Sequence, residues 1–354
     1  MDLDELRQRI DRVDDRILEL LNERAQYVQE VGKIKNINRT EMYVPTRERA
    51  IFQRLESLNR GPFPTEGVFK VFREIISASL ALEHPISVAY LGPRATFTHA
   101  AALKQFGQSA NLVPQRSIGS VFEEVESGRA QYGVVPIENS NEGAVTHTLD
   151  RFMVSRLKVI AECYLPISHD LLSKAGGIDQ IERIYSHPQA LEQCRRWIRD
   201  NCSQAQLIEV TSTARAAQIA LEEPRAAAIA SSTAATVYGL RALAVRIEDN
   251  HHNHTRFLVI GKNGPLPTGQ DRTSLLFSFK DQPGILSQML EPFRKRTLNL
   301  LKIESRPVKN KVWEYMFFLD VEGHIQEEPI KTAIEELEKF CRTVKHLGSY
   351  PRSR

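Results

Sequence analysis

The residues best suited to chemistry in this 354-residue sequence begin with two cations on an apolar stripe. Leu3, Leu6, Ile10, Val13, Ile17 and Leu20 recur at steps of three and four, and Tyr27, Val31 and Ile34 continue the rhythm. That spacing writes one face of a long amphipathic helix. The slot after Leu20 holds Arg24, and Lys35 returns to nearly the same face ~16 Å further along the axis. A cation on a buried seam is costly unless a negative group meets it. Two such cations define a place for an anion with more than one negative group.

A second set of polar residues lies in short runs between apolar segments. Tyr90-Leu91-Gly92-Pro93 leads to Thr96-Phe97-Thr98, and Val135-Pro136-Ile137-Glu138-Asn139-Ser140 leads to Glu142-Gly143. Ser186-His187-Pro188-Gln189 and Thr211-Ser212-Thr213 fall at strand-to-helix junctions, and Asn253-His254-Thr255-Arg256-Phe257 enters a strand. Loops and helix starts are where binding groups collect, and their free N–H groups suit carboxylates. His251-His252-x-His254 lacks nearby Cys or Asp support, so no metal site is expected there. No Rossmann fingerprint or P-loop occurs, and no cofactor is expected.

The elements that must hold these residues fall into three textures. Residues 1–85 read as helices: the long one, a break around Asn36–Tyr43, then patterns near 46–59 and 65–83, with Gly61-Pro62-Phe63-Pro64 between the last two. A helix of that length is not buried by two shorter ones, so an intertwined dimer is expected. Residues 86–262 alternate helical stretches with strands at Ile86–Leu91, Tyr132–Pro136, Lys158–Leu165, Ile184–Tyr185, Gln206–Val210, Ala226–Ala230 and Phe257–Ile260, which is α/β texture. Residues 263–272 form a Gly- and Pro-containing linker. Residues 273–354 open with a strand at Thr273–Phe279 and the turn Asp281-Gln282-Pro283-Gly284, then a helix from Ile285. Strands near Leu300–Arg306 and Trp313–Val321 and a helix over Glu328–Phe340 complete a βαββα pattern.

Composition narrows the class. Hydrophobic residues make up 42% and charged residues 26%, as in ordinary globular proteins. A net charge of +3 with no basic tract argues against nucleic acid. No apolar run approaches the ~20 residues that span a bilayer, so no membrane partner is expected. The start MDLDEL has no signal-peptide core, and Cys163, Cys194, Cys202 and Cys341 have no disulfide-framework or zinc spacing. A cytoplasmic protein with reduced thiols is expected.

The first segment resembles the all-α chorismate mutases in Leu6-Arg7-Gln8-Arg9-Ile10-Asp11, Leu20-Leu21-Asn22-Glu23-Arg24, Val31-Gly32-Lys33-Ile34-Lys35 and Pro45-Thr46-Arg47-Glu48. The resemblance implies rearrangement of chorismate to prephenate. Arg24 would hold one carboxylate, and Arg7 from a partner subunit another. Lys35 would reach the ether oxygen, with Arg47, Glu48 and Ser79 completing the site. Val44 stands where that pattern often has Asp, and Glu83 where it often has Gln. A protonated Glu83 is therefore expected in the active form, with activity rising toward acidic pH.

The polar runs of 86–262 together resemble prephenate dehydratase. The resemblance implies two α/β lobes, the first of 86–162 plus a return near 242–262, and loss of carbon dioxide and hydroxide from prephenate to give phenylpyruvate. Thr255 is the residue implied in departure of the hydroxyl. Thr96, Glu138, Asn139, Ser186, Gln189, Thr213, Arg256 and Phe257 are implied to line the cleft, Arg256 either pairing with a carboxylate or bracing the lobe. Ala95 replaces a glycine common in that loop, and Thr98 a serine. Pro283-Gly284-Ile285-Leu286 and Glu304-Ser305-Arg306-Pro307 resemble the ACT-type domain, implying a βαββαβ module that senses phenylalanine through Gly284, Ile285, Leu286, Glu304, Ser305 and Arg306. Arogenate dehydration and a two-lobed carboxylate or amino-acid binding module stay open as alternatives.

Overall fold

The computed structural model describes residues 2–38, 43–280, 282–307 and 314–353. Packing divides the chain into two units, 1–87 with 106–111 and 88–105 with 112–354. No helix among the described residues is long and apolar enough to cross a membrane.

The first unit is built on helices α1 (Leu3–Asn38), α2 (Pro45–Leu58) and α3 (Thr65–Glu83). The 36 residues of α1 span about 54 Å. The helix runs through Asn38, so the expected break begins later than Asn36, and residues 39–42 lie outside the described residues. Pro45 opens α2, where a missing N–H costs nothing. Within the chain, α1 turns Leu21, Arg24, Ala25, Val28, Gly32 and Lys35 inward. The apolar stripe read from the sequence is the neighbouring face, and it stays open: Ile10 is 59% exposed, Tyr27 60% and Ile34 58%. Gly32 is where α1 comes closest to α3, since a Cβ there would lie 3.1 Å from Cγ of Glu83.

The second unit starts with β1 (Ser87–Leu91), α4 (Phe97–Phe106), β2 (Asn111–Gln115), α5 (Ile118–Glu126), β3 (Tyr132–Asn139), β4 (Gly143–Ala144), α6 (Thr146–Val154) and β5 (Lys158–Pro166). A second group follows: β6 (Asp170–Ser173), β7 (Arg183–Ser186), α7 (Pro188–Gln193), α8 (Arg195–Asn201), β8 (Gln206–Glu209), α9 (Thr213–Glu222), β9 (Ala226–Ala230), α10 (Ser232–Tyr238) and β10 (Arg241–Ala244). The chain then returns as β11 (His254–Gly261). One sheet runs β2-β1-β3-β11-β5 and the other β10-β6-β9-β7-β8. Two α/β lobes result. The return to the first lobe starts at β11 rather than near 242, because Arg241–Ala244 pairs antiparallel with β6 of the second lobe. Strands β2, β4, β6 and β10 escaped the sequence reading; each is five residues or shorter.

The last module is β12 (Asp271–Lys280), α11 (Ile285–Lys295), β13 (Leu300–Pro307), β14 (Glu314–Glu322), α12 (Glu328–Glu338) and β15 (Thr343–Pro351), in sheet order β13-β14-β12-β15. The final strand completes βαββαβ. Asp281 and Trp313, named in the expected turn and strand, lie outside the described residues. Strand β15 lies against β5: a Cβ at Gly348 would come within 2.1 Å of the Val159 carbonyl oxygen. This contact brings the ACT-type sheet onto the back of the first lobe.

Candidate active sites

In the first unit, α1, α2 and α3 enclose a cavity of about 400 Å³ lined by Arg24, Lys35, Arg47, Glu48, Ser79 and Glu83, among others. Arg24 and Lys35 project from the inward face of α1 because eleven helical residues make nearly whole turns. Arg24 donates to Oγ of Ser79, which in turn donates to the Ile75 carbonyl at 2.6 Å. Burial pulls the Arg24 pKa down, against the attraction of Glu83. Lys35 Nζ lies 3.0 Å from Oε2 of Glu83. Buried Glu48 accepts from Arg73 at 2.6 Å; burial raises its pKa and Arg73 opposes the rise. Arg73 and the apolar wall of Val28, Ile51, Ile76 and Leu80 were missed from sequence, because helix periodicity gives a face but not the helix it meets. Arg7 is elsewhere, 66% exposed and paired with Asp4 at 3.3 Å, about 25 Å along α1 from Arg24.

The two-lobed unit holds a cleft of about 310 Å³. Thr96, Asn139, Gln189, Thr213, Thr255 and Phe257 line it. Asn139 Nδ2 donates to Oγ1 of Thr255 at 2.8 Å and to Asn253 Oδ1 at 2.9 Å. The amide's orientation is set from its other end, where Oδ1 accepts from the backbone N–H of Asn141 at 3.0 Å. With one Thr255 lone pair taken by Asn139, its hydroxyl proton is left for an acceptor in the cleft. Among the described residues lining the cleft there is no Lys or Arg, and the carboxylate there, Glu142, accepts from Gln189. Anion-binding capacity comes instead from helix starts. Ser212 caps α9 by accepting from Arg215 N–H at 3.0 Å, and Thr96 Oγ1 accepts from His99 N–H at 3.3 Å at the start of α4. Ala95 has φ 71, the left-handed region a glycine enters freely, and its N–H donates to His99 Nδ1 at 3.2 Å.

Three residues expected in the cleft face away from it. Ser186 is fully buried and donates to the Ile229 carbonyl at 2.6 Å, tying β7 to β9. Arg256 is 2% exposed and sits between the first lobe and the ACT-type sheet, 2.8 Å from Glu162 and 2.6 Å from Asp320. Of the two readings left open for Arg256, bracing is the one its position fits. Glu138 points the same way, 2.8 Å from Lys302. The cause is strand alternation: Thr255 and Asn139 take one face of the sheet, so Arg256 and Glu138 take the other. Sequence reading missed His169 and Gln193, which line the cleft and lie 2.9 Å apart. Burial lowers the His169 pKa, so its ring is neutral near neutral pH. Its place at the lobe crossing, just after Ile167-Ser168, was the available signal. The histidines of 251–254 act locally, His251 on Glu248 at 3.2 Å and His254 on the His252 carbonyl at 3.0 Å.

In the ACT-type module Gly284, φ 78, precedes α11. Ile285 is 5% exposed, its side chain in the module's core, while Leu286 is 40% exposed. Glu304 and Arg306 share one face of β13 and exposed Ser305 takes the other. Arg306 pairs with Asp150 of α6 at 3.1 Å rather than with Glu304.

A dicarboxylate-sized cavity rich in cations, a two-lobed cleft with a poised hydroxyl, and a βαββαβ module together define a multidomain enzyme with two active sites. Family models match for chorismate mutase type II over residues 6–84, prephenate dehydratase over 88–265 and the ACT domain over 273–339. The bifunctional chorismate mutase/prephenate dehydratase of Aquifex aeolicus is 51% identical, covering 99% of this chain and 98% of that one. That of Pseudomonas aeruginosa is 44% identical over 98% and 97%. The prephenate dehydratase of Arthrobacter aurescens, solved in complex with L-Phe, superposes with a TM-score of 0.70 at 36% identity, covering 75% of this chain and 90% of that one. The chain belongs to the bifunctional chorismate mutase/prephenate dehydratase family. It rearranges chorismate to prephenate and converts prephenate to phenylpyruvate.

Proposed function

We propose that the helical cavity performs the rearrangement and the two-lobed cleft the dehydration, with the residue roles that follow. Chorismate binds with one carboxylate on Arg24, whose distance from Ser79 fixes its reach. Lys35 turns from Glu83 to the ether oxygen as charge develops there. No proton moves in the bond-changing step, so orientation and electrostatic stabilisation carry it. Glu48, held by Arg73, faces the substrate hydroxyl. A second copy of the chain covers the exposed stripe of α1 and contributes Arg7. Ten apolar residues of α1 from Leu3 to Ile34 are at least 45% exposed in one chain, which supports such a partner.

In the cleft, Thr255 hydrogen-bonds to the departing hydroxyl while the ring carboxylate leaves as carbon dioxide. The Asn139–Thr255 hydrogen bond is the observation that carries this reading, because it directs the one proton of Thr255 outward. Thr96, Gln189, Thr213 and the starts of α4 and α9 hold the substrate. Phenylalanine binds the ACT-type module near Gly284 and β13 and lowers dehydratase activity, as the L-Phe complex of the Arthrobacter relative supports. The enzyme works in the cytoplasm.

A chorismate-to-phenylpyruvate assay tests the assignment. Arg24→Ala loses about 10²–10³-fold in chorismate turnover and keeps prephenate turnover. Thr255→Ala accumulates prephenate. If either variant keeps both steps, its site is wrongly assigned. Sedimentation of the intact chain and calorimetry with phenylalanine check the dimer and the effector.

A further inference from the structure

The lining of the two-lobed cleft contains a buried nitrogen that nothing in the chain satisfies. His169 is 2% exposed, and its Nδ1 has no hydrogen-bond partner among the described residues. Its backbone is spent elsewhere. The N–H donates to Glu248 Oε2 at 2.8 Å, and the carbonyl accepts from the Ile247 N–H at 2.8 Å. These bonds tie together the two segments that cross between the lobes, so the ring is what His169 gives to the cleft. The ring stands edge-on to Phe97, another lining residue, with centroids 5.5 Å apart and planes at 83°. Nε2 lies 2.9 Å from Gln193 Oε1.

A buried polar atom without a partner has lost its hydration and gained nothing in return. In a binding cleft, the ligand is the partner that explains it. Burial, outweighing Gln193, Glu248 and Asp170, keeps the imidazole neutral, so one ring nitrogen donates and the other accepts. With the Gln193 oxygen at Nε2, Nδ1 is an acceptor. With the amide turned over, its NH2 donates to Nε2, and Nδ1 carries the proton. Prephenate decides between the two. Its carboxylates and keto group are acceptors and its hydroxyl meets Thr255, so the bound substrate favours the proton on Nδ1. The ring carboxylate leaves as carbon dioxide, and a donor fixed on it would hold the substrate back. The pyruvyl side chain keeps its oxygens from substrate to product, and a donor there opposes nothing in the bond-breaking step.

We infer that His169 binds prephenate by its pyruvyl side chain, donating from Nδ1 to an oxygen of that chain while the Gln193 amide holds Nε2. Gln193 is then a positioning residue that sets which ring nitrogen carries the proton. The inference rests on the assignment of the cleft to the dehydratase made above.

The test uses the full chain. His169→Phe keeps the bulk of the ring and removes both nitrogens. It should raise KM for prephenate about 10–100-fold with kcat within about threefold, because the contact is the same in substrate and transition state. Calorimetry should show phenylpyruvate binding weakened to match. His169→Asn places an amide N–H near the position of Nδ1 and should recover most of the affinity, whereas His169→Gln places one near Nε2 and should not. A purely structural ring predicts the reverse order, with Phe tolerated best, and that order overturns the inference. Nitrogen NMR of the wild-type chain with isotope-labelled histidines needs no variant to fold. Phenylpyruvate should move the proton of one neutral ring from Nε2 to Nδ1, and spectra in which no ring does so also overturn it. Thr255→Ala is run beside the variants. Unchanged KM and phenylpyruvate affinity in His169→Phe, with Thr255→Ala inactive, overturn the contact and leave the site assignment standing. An active Thr255→Ala overturns the assignment and the inference together.

Discussion

Both active sites take a dianion, yet their electrostatics are opposite. The mutase cavity gathers Arg24, Lys35 and Arg47, whereas no Lys or Arg lies among the described residues lining the dehydratase cleft. The reactions explain the contrast. In the rearrangement both carboxylates survive, so cations can hold them throughout and Lys35 can answer the charge that builds on the ether oxygen. In the dehydration one carboxylate must give up its charge as carbon dioxide. A cation on that group would stabilise the bound substrate more than the transition state and slow the reaction. Neutral donors at helix starts can bind a dianion without that penalty. Among the second unit's cations, two lysines serve the joint between its sheets. Lys158 donates to the His346 carbonyl, and Lys345 donates to the Phe152 carbonyl at 2.8 Å at the end of α6.

Acid separates the two units most. His346 lies in that cationic joint, and burial, then Lys158 and His324, lower its pKa to about 4. An unfolded chain protonates this imidazole near pH ~6.5. Between those values the unfolded state binds the extra proton, so stability falls as pH drops from ~6.5 toward 4 and levels off below. The loss is at most about 3 kcal/mol. The second unit should melt earlier at pH ~5 than at pH ~7.5, and His346→Gln should reduce that difference. A wild-type melting temperature unchanged across the window would contradict it.

A cation placed in the cleft tests the contrast at its centre. Thr211 lines the cleft from an exposed loop position, so Thr211→Arg disturbs little packing. The variant should bind prephenate more tightly while kcat falls about tenfold. Steady-state kinetics separate the two. A higher kcat would show that the cleft lacks cations for some other reason.

The same contrast shows what the sequence could and could not reveal. Arg24 and Lys35 were legible because a charge on an apolar helix face breaks a pattern. Their partners Ser79 and Glu83 came only by resemblance, and Arg73 not at all, because periodicity does not say which helices meet. Thr255 and Asn139 were legible as motif members. Glu138, Arg256 and Ser186 belonged to the same motifs and face elsewhere, because a motif preserves adjacency in sequence while a strand alternates its faces. The ion pairs that join Glu138 to Lys302 and Arg256 to Asp320 needed two sheets packed together, and nothing in the spacing of 138, 256, 302 and 320 announces them. The stripe of α1 was read as covered by a partner helix, and in one chain it is open, because pattern alone does not distinguish a face covered within the chain from one covered by another chain.

The smallest expected effect concerns Glu83, which faces Lys35. Glu83 Oε2 sits 3.0 Å from Lys35 Nζ, so it competes for the cation proposed to reach the ether oxygen. A carboxylate beside that oxygen also repels the charge developing on it. Glu83→Gln keeps the shape, removes that repulsion and supplies an N–H donor. Mutase kcat should therefore change a few-fold, upward, in Glu83→Gln, as steady-state kinetics at one pH would show. An unchanged rate would mean that Glu83 only parks Lys35. The mutase site would then be governed by its cations alone, which is the purest form of its difference from the dehydratase cleft.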